Sequence, residues 1–304
     1  MIDLAALTKL ANQYEREMAL TVPPLRIGQE AFDTDVSPVI MGVVNLSQDS
    51  GYRETIAMTH ESAVRKVKTA YAQGATVVDV GAESTLSSAA RISSEDQINQ
   101  LVPVIEESVD AGVAISVETY AMSVTRACLQ AGAVVLNMTG ADDETAMLEL
   151  AAEYEATVVM CFESDTAIRD VKQVGLQLDP IAMLADHFGP RIERAHSLGV
   201  TDVVVDPGLG FYYRNRDDRV VEARNQARVM FNSFRLRTLG VPLCQNLHHG
   251  LVFFEEQVRS GEGFFAVLGR LGGVGMFRTH EVPLIAGVNR AMDALDIEFS
   301  EDAS

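Results

Sequence analysis

Hydrophobic positions along the chain follow two alternating spacings. Eight apolar runs rich in β-branched residues predict strands, and the stretches between them repeat apolar residues every three or four positions, which predicts helices. The predicted strands are residues 39–46, 76–81, 113–119, 133–139, 157–162, 202–208, 242–247 and 273–280. The predicted helices are residues 62–72, 95–108, 122–131, 144–153, 180–198, 220–239, 261–271 and 282–295. Eight strand-then-helix units favour an α/β fold of one (β/α)8, or TIM, barrel.

Segments at both ends lie outside this alternation. Residues 1–24 place leucines and alanines at helical spacing before Pro23 and Pro24, which predicts an N-terminal helical extension. Residues 25–32 have the pattern of a short edge strand. We therefore assign residues 25–298 to the barrel and residues 299–304 to an acidic tail.

The segment from Thr201 to Phe211 marks one strand end clearly. Three valines precede Asp206, and Gly208 and Gly210 follow it. A buried carboxylate is costly unless hydrogen-bond donors surround it, and glycines let a ligand approach the backbone closely. Because the C-terminal ends of barrel strands face the active site, we expect Asp206 to anchor a ligand on the floor of a binding site.

Polar residues stand at the ends of seven of the eight predicted strands. In chain order they are Asn45; Asp79, with Ser84 and Thr85 just beyond; Glu118; Asn137; Asp206; Gln245 and Asn246, followed by His248 and His249; and Arg278 with His280. A single polar residue at such a place most often caps a helix or completes a turn. Seven strand ends with polar residues at the same end of a barrel predict a binding site there.

The types of these residues indicate the ligand. The two carboxylates and the amide of Glu118, Asn137 and Asp206 suit a flat heterocycle that carries several N–H donors and a carbonyl. Arg278 and His280 point to the same side of their strand, and closure of the barrel brings Asn45 beside them as an anion site. We therefore expect one ligand that combines a heterocycle with a phosphate.

Charge and cysteine content narrow the class of protein further. The chain has 43 acidic and 24 basic residues, a formal net charge of −19, so we expect neither a nucleic-acid nor a membrane partner. Neither an export signal nor an apolar run of membrane-spanning length is evident, which predicts a cytoplasmic protein. Cys128, Cys161 and Cys244 lie in apolar runs and are expected to be buried thiols.

In order and spacing, these strand ends resemble those of the dihydropteroate synthase family. The matching segments are residues 41–50 (MGVVNLSQDS), 77–85 (VVDVGAEST), 115–119 (ISVET), Asn137, 206–211 (DPGLGF) and 277–281 (FRTHE). The resemblance extends from about Leu25 to Leu295 and identifies the chain as a divergent member. It implies a pterin-binding TIM barrel, a transferase of folate biosynthesis that joins dihydropterin-6-ylmethyl pyrophosphate to 4-aminobenzoate.

The resemblance also implies roles for individual residues. Asp206, Asn137 and Glu118 would hold the pterin, and we assign Asp79 and Gln245 to the same pocket.

The same resemblance assigns the catalytic roles. Arg278, His280 and Asn45 would bind the pyrophosphate together with Mg²⁺, and Asn45 would be the metal ligand. The family further implies a homodimer.

Several departures from the family pattern fall on the half of the site that binds the amine. Ser84 and Thr85 are followed by Leu-Ser-Ser instead of Arg-Pro-Gly, and His248, His249 and Gly250 replace Ser-Arg-Lys. Ser84, Thr85 and the two histidines are our candidates for the second-substrate loops, although the histidines could simply cap the next helix. The amine could therefore be 4-aminobenzoate or a different one.

Two other functions remain open on the sequence. A pterin-binding methyltransferase of the related barrel family would transfer a methyl group from a reduced folate to a corrinoid protein. Arg278 and His280 argue against it, because that reaction has no pyrophosphate to release. A pterin-binding paralogue without catalysis is the second alternative, and pyrophosphate release separates it from a synthase.

Overall fold

The structure, a computed structural model, describes residues 2–47, 56–57, 59–83, 91–141, 143–162, 179–209, 219–247 and 251–295. Its strands are β1 Leu25–Ile27, β2 Glu30–Phe32, β3 Val39–Asn45, β4 Val77–Gly81, β5 Ile115–Glu118, β6 Val135–Met138, β7 Thr157–Cys161, β8 Val203–Asp206, β9 Cys244–Asn246 and β10 Met276–Thr279. Its helices are α1 Leu4–Gln13, α2 Glu15–Met18, α3 His60–Ala72, α4 Ser94–Asp110, α5 Met122–Gln130, α6 Glu144–Glu153, α7 Pro180–Ser197, α8 Arg219–Asn232, α9 Leu251–Phe254, α10 Val258–Leu271 and α11 Val282–Ala294. The acidic tail predicted at residues 299–304 lies outside the described residues.

Eight parallel strands form the barrel that the sequence predicted. Their order is β8, β7, β6, β5, β4, β3, β10 and β9, so β3 and β10 are neighbours as expected. A bridge between Val205 and Leu243 joins β8 to β9, and the Val205 N–H donates to the Pro242 carbonyl at 3.1 Å. This bridge completes the ring, and the (β/α)8 barrel is confirmed.

The helices pack outside the strands, and each predicted helix is present with small shifts at its ends. The largest difference concerns residues 220–239, where the α-helix ends at Asn232 and a 3₁₀ helix, Ser233–Leu239, continues to Gly240. Gly240 takes a left-handed backbone conformation, which ends the helix at low steric cost. Among the described helices, none has both the length and the apolar composition needed to cross a membrane.

Residues 25–32 differ from the predicted edge strand. They form an antiparallel hairpin, β1 with β2, which is separate from the barrel sheet. Leu25 and Ile27 are buried on one face of this hairpin among the apolar side chains of the barrel interior. Thr157, at the start of β7, donates to the Arg26 carbonyl, and Asp202, just before β8, pairs with the Arg26 guanidinium at 2.7 Å. The hairpin therefore closes the N-terminal end of the barrel.

The N-terminal extension is two short helices rather than one, with the break at Tyr14. The Tyr14 ring meets Phe234 edge to face at a centroid distance of 6.3 Å, and the Arg235 guanidinium lies 4.1 Å from the centre of the Tyr14 ring. Arg237 also donates to the Leu20 carbonyl at 2.8 Å. These contacts dock the extension on the 3₁₀ helix.

Candidate active site

The barrel interior has an apolar level and a polar level above it. Side chains alternate between the two faces of a strand, so residues two apart share the inner face. Four strands place a polar residue two positions after an apolar one: Val77 and Asp79, Val135 and Asn137, Val204 and Asp206, and Met276 and Arg278. The apolar members pack on the hairpin, and the polar members meet near the C-terminal strand ends.

Asp79 is the centre of the polar level. Its side chain is almost fully buried and accepts three hydrogen bonds. The donors are Ser116 Oγ at 2.7 Å, Asn137 Nδ2 at 3.0 Å and Arg278 Nε at 3.0 Å. Asp79 thus ties together four strands of the barrel, β4, β5, β6 and β10.

Arg278 is the cation of this level and is only 8% exposed. Its Nη2 lies 3.0 Å from Asp79 Oδ2 and 2.5 Å from Glu118 Oε2, while Thr139 donates to the other oxygen of Glu118 at 3.0 Å. Burial raises the pKa of Glu118, and the charge of Arg278 opposes that shift. Burial alone would lower the pKa of Arg278, but Glu118 and Asp79 outweigh it and hold the guanidinium charged.

Asp206 lies beside this cluster with fewer partners. Its Oδ1 accepts the backbone N–H of Gly208 at 2.8 Å, and the Cys244 thiol is a second neighbour. Gly208 has a positive φ of 71°, a conformation that glycine adopts without steric strain. Burial raises the pKa of Asp206 to about 6, against the effect of the Gly208 N–H and Arg278. Asp206 is therefore a buried carboxylate with room for another donor.

A model of the family described as pterin binding enzyme matches residues 41–280, which include every residue of this polar level. This chain belongs to the pterin binding enzyme family.

Dihydropteroate synthase appears in the names of the chain's relatives. Dihydropteroate synthase of Synechocystis is 26% identical over 286 residues, which cover 90% of this chain and 95% of that protein. Dihydropteroate synthase of Streptococcus pyogenes serotype M1 is 34% identical over 194 residues, 62% of this chain and 68% of that protein.

Solved structures of dihydropteroate synthases also superpose on this chain. Xanthomonas albilineans dihydropteroate synthase with 4-aminobenzoic acid superposes with a TM-score of 0.74 at 25% identity, covering 91% of this chain and 100% of that one. The Thermus thermophilus enzyme in complex with 4-aminobenzoate has a TM-score of 0.73 at 26% identity, covering 90% and 100%. The chain is thus a pterin-binding transferase of the dihydropteroate synthase type.

Most of the residues predicted to bind the pterin lie together in the barrel interior. Asp79, Glu118, Asn137 and Asp206 all belong to the buried polar level, although Asn137 already donates to Asp79 and lies 3.7 Å from the Cys161 thiol.

The predicted anion residues are divided between the cluster and the strand ends. Arg278 is held inside by carboxylates, whereas Asn45 ends β3 and His280 follows β10, both half-buried. The second-substrate candidates Ser84, Thr85, His248 and His249 lie outside the described residues.

The structure corrects the prediction for Gln245. The prediction placed it in the pterin pocket, but its side chain is fully buried and its Nε2 donates to Ser233 Oγ in the surrounding helical layer. In the strand register Gln245 pairs with Phe277, and Asn246 pairs with Arg278. Gln245 therefore lies on the outer face of β9, and Asn246 occupies the register of the inner face.

Sequence reasoning missed two hydroxyl groups that complete the cluster. Ser116 donates to Asp79, and Thr139 donates to Glu118. The sequence spacing could have indicated both residues, because residues two apart on a strand share a face. Ser116 precedes Glu118 by two residues, and Thr139 follows Asn137 by two. The buried thiols of Cys161 and Cys244 also line this level, and all three cysteines are buried and free, as predicted.

We expect Asp206 to make folding stability depend on pH. Its pKa of about 6 exceeds the value of about 3.9 for an unfolded aspartate, so the folded state binds more protons between these values. The free energy of unfolding should therefore fall by about 2 kcal/mol through this group as pH rises from 4 to 7. Urea unfolding of wild type and Asp206→Asn across this range measures the effect. A difference between the two proteins that does not change with pH would contradict it.

Proposed function

We propose that this enzyme joins the methylene group of dihydropterin-6-ylmethyl pyrophosphate to an amine and releases pyrophosphate. The observation that supports this most strongly is the buried cluster of Arg278, Asp79 and Glu118 beside Asp206, near the C-terminal strand ends of the barrel and within the residues that the family model matches. The cytoplasm is the proposed compartment, since three free buried thiols suit a reducing environment.

Pterin recognition is proposed to centre on Asp206. A pterin ring has a guanidine-like edge with two N–H donors, and an ionised carboxylate accepts such a pair in parallel. Asp206 has unused acceptor capacity on the inner face, and the apolar level below it excludes water from one side. Glu118 and Asn137 would bind other polar atoms of the ring.

The reaction requires little proton transfer from the protein. The C–O bond to pyrophosphate breaks and its electron pair leaves with the pyrophosphate, while the ring nitrogens stabilise the positive methylene carbon. The amine lone pair then forms the new C–N bond, and the amine loses a proton to the solvent. Arg278, His280 and Asn45 would bind the charge that develops on the leaving group, where fixed cations and dipoles act most strongly.

We propose that magnesium binds at this site together with the substrate. Among the described residues, no three His, Cys, Asp or Glu side chains are grouped to hold a metal ion. Asn45 offers one amide oxygen at the end of β3, and Mg²⁺ commonly binds through one or two protein oxygens together with substrate phosphates. When bound, the ion would neutralise charge on the pyrophosphate.

The amine is proposed to be 4-aminobenzoate in the first instance. The structures from Xanthomonas albilineans and Thermus thermophilus named above contain that compound. The loop departures noted in the sequence make other aromatic amines reasonable competitors in the same assay.

A homodimer through α10 and α11 is also proposed. Phe264, Leu271 and Leu284 are large apolar residues on these two helices, and between 37% and 52% of each is exposed. Clustered exposed apolar side chains commonly mark an interface. We expect sedimentation equilibrium to give twice the chain mass of 33.0 kDa, and Phe264→Asp to shift the protein to monomer. A wild-type protein that sediments as a monomer would refute this proposal.

The proposed reaction predicts pyrophosphate release that depends on the amine. We expect wild type to release pyrophosphate from dihydropterin-6-ylmethyl pyrophosphate when both Mg²⁺ and 4-aminobenzoate are present. Arg278→Lys keeps the charge but loses the paired donors, so kcat should fall about 100-fold. Asp206→Ala should raise KM for the pterin. The exposed change Arg290→Lys on α11 is the matched control.

Two other results would contradict the proposed reaction, and a third would change only the identity of the amine. Pterin binding without release under any condition would favour a paralogue without catalysis. Release with another amine alone would show that the second substrate had changed. Methyl transfer from a reduced folate to a corrinoid protein would favour the related methyltransferase.

A further inference from the structure

Both oxygens of the Glu118 carboxylate already have partners. Thr139 donates to Oε1, and Arg278 donates to Oε2 from Nη2. Asp79 is equally occupied, with three donors. Each carboxylate oxygen can accept more than one donor, so a pterin N–H group would either add to these bonds or replace one of them. Arg278 is the donor that keeps a contact with another carboxylate, Asp79, if it leaves Glu118.

The contact between Glu118 and Arg278 spans the barrel interior. Glu118 ends β5, and β4 and β3 separate that strand from β10, which holds Arg278. Strands in a sheet lie about 4.8 Å apart, so two long side chains are needed to meet across this gap. Glu118 stands where the resembling family has aspartate, and its additional methylene group extends it toward Arg278.

Arg278 has a second anchor that does not depend on Glu118. Its Nε donates to Asp79, and no hydrogen bond among the described residues uses Nη1. If Nη2 left Glu118, the contacts of Nε and Nη2 with Asp79 Oδ2 would keep the side chain in place, while Nη1 and the side of Nη2 that had faced Glu118 could bind an anion at the strand ends. His280 lies there, two residues further along the chain. A carboxylate and a phosphate bind a guanidinium with the same paired geometry, so Glu118 and an anion would compete for Arg278.

We propose that pterin and pyrophosphate binding are coupled by an exchange of partners at Glu118. An N–H group of the pterin other than the pair that binds Asp206 takes the place of Arg278 on Glu118, and the released side of Arg278 binds the pyrophosphate group. Glu118 is thus a positioning residue, which prevents Arg278 from binding free anions until a pterin is bound. This inference depends on the proposed function, because it concerns the same two ligands.

The exchange has a thermodynamic consequence. Without a pterin, an anion has to separate Arg278 from a buried carboxylate, which leaves that charge without its cation. With a pterin bound, ring N–H groups already solvate the carboxylate and the anion avoids that cost. Each ligand should therefore strengthen the binding of the other by the same factor, as linkage requires.

Isothermal titration of pyrophosphate with Mg²⁺, with and without 6-hydroxymethylpterin, tests the exchange. In wild type we expect the pterin to lower the Kd of pyrophosphate on the order of tenfold. In Glu118→Gln the amide no longer competes as an anion for Arg278. Pyrophosphate alone should then bind on the order of fivefold more tightly than to wild type, and the effect of the pterin should fall below about twofold.

Glu106→Gln is the matched control, because Glu106 is an exposed residue of α4 and the change removes the same charge. If Glu118→Gln binds pyrophosphate no more tightly than Glu106→Gln, the proposal is wrong. It is also wrong if wild type binds both ligands without coupling. Failure of wild type to bind any pterin would instead refute the proposed function, and the measurement with pyrophosphate alone would still test whether Glu118 restrains Arg278.

A second variant keeps the test valid if Glu118→Gln does not fold. Glu118→Asp retains the negative charge but is one methylene group shorter, so it should bond Arg278 poorly. We expect tighter binding of pyrophosphate alone, with pterin affinity close to that of wild type. A Glu118→Asp protein with wild-type affinity for pyrophosphate alone would contradict the role of the longer side chain.

Discussion

The interior of this barrel depends on one arrangement, a guanidinium held between two carboxylates that water barely reaches. Asp79 and Glu118 both contact Arg278, and all three side chains are buried. Removing an ion from water costs several kcal/mol, and close pairing with full hydrogen bonding offsets that cost. Ser116, Asn137 and Thr139 supply the remaining donors, so the cluster is well satisfied from its own barrel strands and the turn after β6.

The rest of the fold makes this arrangement workable. Alternation along parallel strands puts the polar residues at one level, and the hairpin β1–β2 closes the opposite end of the barrel with Leu25 and Ile27. In such a low-dielectric interior, electrostatic interactions with a ligand are stronger than in water. The same burial raises the pKa of Asp206 to about 6. Asp206 is therefore mostly ionised, and accepts N–H donors as a carboxylate, only above about pH 6.

The sequence predicts the barrel and most of this cluster, because strand–helix alternation and polar strand ends are local patterns. It does not predict which face a residue occupies in a short strand: β9 has only three residues, and Gln245 proved to face the helices. The hairpin was mistaken for an edge strand because one buried face gives the same alternation in both. Partners across the barrel were also hidden, since Glu118 and Arg278 are far apart in sequence and each looked like a residue for a ligand.

A double-mutant cycle in folding stability tests the central claim most directly, namely that Arg278 neutralises buried carboxylates. Arg278→Met should lower the free energy of unfolding by about 3–5 kcal/mol, because it leaves Asp79 and Glu118 buried without a cation. Arg290→Met, at an exposed position, should change it by less than about 0.5 kcal/mol. Adding Glu118→Gln to Arg278→Met should restore part of the loss. Additive effects of the two changes would contradict the account.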